Sequence, residues 1–125
     1  MQSENDGVTL KVLADGNGLL QLQLDEESLR PDIAVGHDPM AVLLGERGYG
    51  QPALLSLAET RFISSSGLGL LLIWHKRFRQ AGGKLVLHSI TTPVMETLRI
   101  LRLEMVLNVA ADTAAATEAA RGDAT

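Results

Sequence analysis

The chain has 125 residues, 46% of them hydrophobic, a size and composition that fit one domain around one core. A net charge of −4, with two Phe, one Tyr and one Trp, argues against nucleic acid, which attracts basic surfaces and stacks on aromatic platforms. The absence of cysteine excludes a disulfide framework, a thiol nucleophile and a zinc–thiolate site.

The polar opening Met1-Gln2-Ser3-Glu4-Asn5-Asp6-Gly7 lacks the basic and apolar regions of a signal peptide, so a cytosolic location is expected. Val8-Thr9-Leu10-Lys11-Val12-Leu13-Ala14 alternates with period two and predicts a strand, followed by the turn Asp15-Gly16-Asn17-Gly18. A second alternating run, Leu20-Gln21-Leu22-Gln23-Leu24, completes a hairpin. After an acidic, irregular stretch, Asp38-Pro39 reads as a helix N-cap with proline at the first helical position, and Gly48 marks the stop, which predicts a helix over about 39–47. Ala53-Leu54-Leu55-Ser56-Leu57-Ala58 is apolar on both alternating sets, as in a central parallel strand covered on both faces.

An apolar strand is expected to end near Phe62-Ile63, with a helix over about 66–80 beyond it. The apolar run 68–74 inside that helix is far short of the roughly 20 residues that cross a bilayer, so it predicts a buried helix and no membrane insertion. Gly82-Gly83 punctuates, and Leu85-Val86-Leu87 is another buried strand. Thr92-Pro93 starts an amphipathic helix in which Val94, Leu98 and Leu101 share the inner face while Glu96, Arg99 and Arg102 point outward. Residues 105–109 supply a last strand, and the alanine-rich 112–121 a surface helix. The expected fold is α/β: a mostly parallel sheet of about four to five strands, an N-terminal antiparallel pair, right-handed crossovers and about four covering helices. One domain spans 1–125, with its core over about 8–109 and a C-terminal surface helix and tail over 110–125.

The richest segment is Phe62-Ile63-Ser64-Ser65-Ser66-Gly67-Leu68-Gly69, where three hydroxyls and two glycines stand between strand and helix. The first N–H groups of a helix lack intrahelical partners and the helix dipole is positive there, so a phosphate placed on one of these serines would be stabilised. Gly67 and Gly69 have no Cβ, which lets another backbone or a partner approach. On residue chemistry alone the plainer reading comes first: a serine run before a helix is an N-cap, with Ser66 as the cap candidate.

Leu55-Ser56-Leu57, the Ser64-Ser65-Ser66-Gly67-Leu68-Gly69 segment, Gln80-Ala81-Gly82-Gly83-Lys84-Leu85-Val86-Leu87 and the helix from Thr92-Pro93 to Leu103 together resemble the STAS domain of bacterial anti-sigma factor antagonists and sulfate transporters. The resemblance runs from the first hairpin to about Val109. It implies that Ser65, the first serine of the Ser-Ser-Gly motif, is the phosphoacceptor, ahead of Ser64 and Ser66, and that Ser64, Ser65, Ser66, Gly67 and Gly69 meet the partner. It also implies partner switching, in which the unphosphorylated protein binds an anti-sigma factor that is itself a serine-protein kinase and so frees a sigma factor. Phosphorylation of Ser65 would break that complex. The sequence departs from the family pattern at two places, with Ser64 and Ser56 where aspartates are usual. A STAS subunit that binds a transporter or scaffold constitutively, its serines purely structural, is the alternative.

An enzyme is not expected. Ser64-Ser65-Ser66-Gly67 lacks the Gly-x-Ser-x-Gly spacing of a nucleophile elbow, and no motif assigns His37, His75 or His88 as a base. His37-Asp38 is too small a pair to read as a metal site, and Gly67-Leu68-Gly69 is neither a phosphate-binding loop nor a dinucleotide fingerprint, so no cofactor is expected. Leu70 to Trp74 reads as core, and His75, Lys76, Arg77 and Arg79 as cations complementing a helix C-terminus, ahead of a partner surface.

Overall fold

Two alternating leucine runs in the first 24 residues give the sheet its starting edge. The structure, a computed structural model, describes residues 10–16, 18–25, 28–29 and 39–121, with the backbone alone at 28–29 and 47. Strands β1 (Leu10–Gly16) and β2 (Leu19–Leu24) pair antiparallel, and the register shifts between Val12 and Ala14, bypassing Leu13. The hairpin is tighter than the expected 15–18 turn. Asp15 and Gly16 stay in the strand, Gly16 faces Leu19, and Gly18 at φ +75° carries the reversal, a left-handed conformation that glycine adopts without strain. Residues 8–9, the expected start of β1, lie outside the described residues.

A two-residue strand, β3 (Ser28–Leu29), follows, and α1 (Pro39–Leu44) then tightens into a 3-10 turn, Gly45–Arg47, that ends at Gly48 with φ +62°. The expected cap at Asp38 lies outside the described residues. β4 (Pro52–Ser56) is shorter than the predicted 53–58. The Ser56 hydroxyl accepts from the Ala58 N–H at 3.2 Å, and a Thr60 N–H to Leu57 carbonyl bond of 3.0 Å bends the chain out of the sheet. β5 (Phe62–Ile63), where an apolar strand is expected to end, is two residues long and pairs in parallel with β3 as a separate small sheet.

Helix α2 (Ser65–Gln80) leads to β6 (Lys84–His88), α3 (Thr92–Ile100), a 3-10 turn at Leu103–Met105, β7 (Asn108–Ala110) and α4 (Thr113–Arg121). The main sheet runs β1-β2-β4-β6-β7, antiparallel at β1-β2 and parallel elsewhere. Three helices cover one face. Met40 and Leu44 of α1, Leu70, Leu71, Trp74 and Phe78 of α2, and Val94 and Leu98 of α3 pack on Leu22, Leu24, Leu55 and Leu87. On the other face Leu19, Leu54 and Val86 meet α4, whose Ala116 is fully buried with Ala119 and Ala120 beside it. The alanine helix therefore covers the sheet, because methyl side chains let its backbone sit close.

Two expectations in the last third change. Leu101 does not join the inner face of α3: the helix ends at Ile100, Arg102 turns left-handed at φ +60°, and Leu101 is 52% exposed. The strand predicted for 105–109 begins only at Asn108. Residues 103–107 are first wound by a Leu107 N–H to Leu103 carbonyl bond of 2.8 Å, which leaves Met105 in solvent.

Candidate functional site

The serine segment sits where β5 gives way to α2, and the structure moves the cap two residues upstream of the expectation. Ser64 is extended (φ −86°, ψ 173°), and its Oγ accepts from the Gly67 N–H at 3.1 Å. Its carbonyl accepts from the Leu68 N–H at 2.9 Å, which closes the first helical turn. Ser66 is inside the helix and does not cap it. With Gly67 N–H taken by Ser64, the amides of Ser65 and Ser66 remain among the groups a helix cannot pair internally.

Ser65 and Ser66 are exposed, Gly67 is buried, and Gly69 is partly buried one turn on. No atom lies within 4 Å of where a Cβ on Gly69 would project, so internal packing does not require glycine there. The first turn of α2 holds no acidic residue. Ser65 therefore combines an accessible hydroxyl with a helix N-terminus whose first turn carries no carboxylate.

The loops around this end are tied to one another. Thr91 precedes α3 without capping it; its hydroxyl donates to the Thr60 carbonyl at 2.6 Å, joining the β6–α3 loop to the β4–β5 loop. Thr60 is fully buried. Ser56 and Ser64, the two positions where aspartate is usual in the resembling family, each accept a backbone N–H, so each does an acceptor's local work without a charge. Phe62, 59% exposed two residues before the cap, adds an apolar surface that sequence reading treated only as strand. No sequence signal announces this, because the two-residue length of β5 is set by its pairing with β3.

Of the three histidines, His75 and His88 lie among the described residues. His37 lies outside the described residues. His75, on the inner side of α2, is held below its usual value of 6.5 by burial and then by the Arg79 charge. His88, at the end of β6 with Nδ1 2.9 Å from Ser89 Oγ, is lowered by burial, an effect that Asp112 opposes. Among the described residues no three His, Asp or Glu side chains group as metal ligands, and no helix is long and apolar enough to cross a membrane.

At the other end of α2, Lys76, Arg77 and Arg79 are exposed while His75 is buried, so the expected basic run divides. The helix closes in a Schellman motif: Gly83 N–H donates to the Phe78 carbonyl at 2.8 Å and Gly82 N–H to the Arg79 carbonyl at 3.2 Å, with Gly82 at φ +90°.

The STAS domain family model matches residues 23–116. Among solved structures, the crystal structure of an anti-sigma factor antagonist from Mycobacterium paratuberculosis superposes with a TM-score of 0.67 over 93% of this chain and 96% of that one. At 14% identity the likeness is one of fold. No significant match is found among curated proteins.

Proposed function

The chain belongs to the STAS domain family, and we propose that it acts as an anti-sigma factor antagonist that switches partners through phosphorylation of Ser65. The observation that carries this reading is the exposed Ser65 at the first position of α2, followed one turn later by a glycine with open space above it. The unphosphorylated protein docks Ser64, Ser65, Ser66, Gly67 and Gly69 against an anti-sigma factor with serine-kinase activity, in the cytoplasm where ATP is supplied. In the transfer step Ser65 Oγ attacks the γ-phosphorus of ATP, the bond to the β–γ bridging oxygen breaks, and ADP leaves as the hydroxyl proton is released to a base of the kinase. The protein is the substrate and the ligand; it does not do the chemistry.

The switch rests on a difference between two environments. In the free protein a phosphate on Ser65 adds about −1.5 to −2 charge beside unpaired helix amides and the positive end of a dipole, in water, so it is easily accommodated. In a dry interface the same charge loses its water, and without a partner cation the complex is weakened. Only this difference shifts the binding equilibrium. With serine at 64 and 56 the free phosphorylated form avoids the repulsion that two carboxylates would add.

The test is incubation with a candidate anti-sigma serine kinase and ATP, read by intact mass, together with binding of Ser65→Ala and Ser65→Glu. The expected results are a mass gain of one phosphoryl group in the parent, none in Ser65→Ala, and weaker anti-sigma binding for Ser65→Glu. Unchanged binding of Ser65→Glu would favour constitutive docking.

A further inference from the structure

The end of the molecule opposite the serines carries several exposed apolar side chains. Ile100 is 80% exposed, Leu101 52%, Met105 76% and Val106 52%. The left-handed turn at Arg102 and the 3-10 turn after it hold these four side chains within one compact reversal. Scattered exposed leucines need no explanation, but four exposed apolar side chains within one reversal do.

This reversal adjoins the C-terminal half of α2. Val106 shares with His75, Arg79, Lys84 and Asn108 the wall of an open cleft of about 310 Å³, and no acidic residue lines it. Arg99 and Arg102, both exposed, adjoin Ile100 and Leu101 in the chain. Over residues 73–106 the sequence carries Lys76, Arg77, Arg79, Lys84, Arg99 and Arg102 against Glu96 and Glu104, in a chain whose overall charge is −4. Basic residues thus outnumber acidic ones along the stretch that carries both this cleft and the exposed apolar groups.

We propose that this surface is a second docking site, for an acidic segment of a partner protein that carries apolar side chains. The apolar residues of the segment would cover Ile100, Leu101, Met105 and Val106, while its carboxylates meet Arg79, Arg99 and Arg102. A nucleic acid has the charge but no aliphatic surface to match four exposed aliphatic side chains. An anionic bilayer would attract this patch yet repel the rest of a net acidic chain. A small anion alone is disfavoured in the cleft, because the C-terminal end of α2 points there and Lys84 Nζ is already engaged with the Ala119 carbonyl of α4 at 2.9 Å. From Ser65 to Arg79 the helix extends roughly 20 Å, so occupants of the two ends need not exclude each other. This proposal does not depend on the phosphorylation of Ser65.

The experiment uses the whole chain and a synthetic amphipathic peptide with leucine on one face and glutamate elsewhere, compared with its lysine-for-glutamate counterpart. Amide shift mapping should show changes at 75–85 and 99–108, none at 64–69, and only with the acidic peptide. Ile100→Ser with Met105→Ser, and separately Arg99→Glu with Arg102→Glu, should each weaken binding about tenfold or more while the fold and thermal midpoint are kept, since all four side chains are exposed. Equal binding of the lysine peptide, shifts elsewhere on the surface, or no binding would overturn the proposal. Concentration-dependent self-association abolished by Met105→Ser would assign the surface to a second copy instead. Binding to phosphatidylglycerol vesicles or to duplex DNA without peptide binding would likewise overturn it.

Discussion

The two ends of α2 each have a glycine close by, and the two glycines serve opposite ends. At Gly69, near the serine end, nothing within 4 Å would meet a Cβ. At Gly83, just past the basic end, a Cβ would strike the Tyr49 carbonyl and lie 2.5 Å from the Gln51 carbonyl oxygen and 2.7 Å from its nitrogen. One glycine is required by the protein's own backbone; the other leaves room that the protein does not use. That contrast separates a position shaped by folding from one available to a partner, which sequence cannot do because both are simply glycine.

The largest effect is expected at Gly83. Gly83→Ala forces apart two backbone segments that cannot rotate aside, and it should cost about 3 kcal/mol, lowering the thermal midpoint by roughly 10 °C. A midpoint within a degree or two of the parent would show that the 48–51 loop yields easily. Next in size is the cap. Ser64→Ala leaves the Gly67 N–H without its acceptor and should cost about 1 kcal/mol in urea unfolding. Ser64→Asp keeps an acceptor and should be within about 0.5 kcal/mol of the parent, while changing the rate at which a kinase modifies Ser65 if that kinase reads the position. If Ser64→Asp is as costly as Ser64→Ala, the cap geometry does not tolerate the carboxylate.

Gly69→Ala should act in the opposite direction from Gly83→Ala. With free space around it and helical backbone, alanine should stabilise by roughly 0.5 to 1 kcal/mol while weakening binding to the proposed anti-sigma partner. A variant that melts higher and binds equally well would remove Gly69 from the interface. The smallest effect is on acidification. The unfolded chain protonates its histidines near 6.5, whereas burial keeps His75 and His88 neutral to lower pH in the fold. The unfolded state then holds more protons, so stability should be intact above pH 7 and decline as pH falls through 6.5. Denaturant midpoints at pH 7.5 and 5.5 check this, and His75→Gln should reduce the difference; a midpoint that rises toward acid would contradict it.

Much of the fold was legible because side-chain periodicity reports burial directly. Leu20, Leu22 and Leu24 alternate, and β2 follows; Leu54 and Leu55 are both apolar, and β4 is covered on both faces. What sequence missed depended on where backbone direction changes. Leu101 has the right spacing after Leu98 to face inward, but the left-handed Arg102 ends the helix first, and a non-glycine left-handed residue leaves no local signature. β3 and β5 form through pairing across more than thirty positions, a contact that neither short segment announces alone. At the serine end the motif itself was readable, but the division of labour was not: Ser64, Ser65 and Ser66 are chemically identical, and only the helix register makes the first a cap and leaves the second exposed.

In the proposed switch Ser65, and not its two neighbours, receives the phosphate. Site mapping of the parent protein after reaction with an anti-sigma serine kinase and ATP, alongside Ser64→Ala, Ser65→Ala and Ser66→Ala, tests it directly. One modified position is expected, Ser65, with the mass gain lost in Ser65→Ala and kept in the other two. A phosphate on Ser64 or Ser66 in the parent, or an undiminished mass gain in Ser65→Ala, would contradict it.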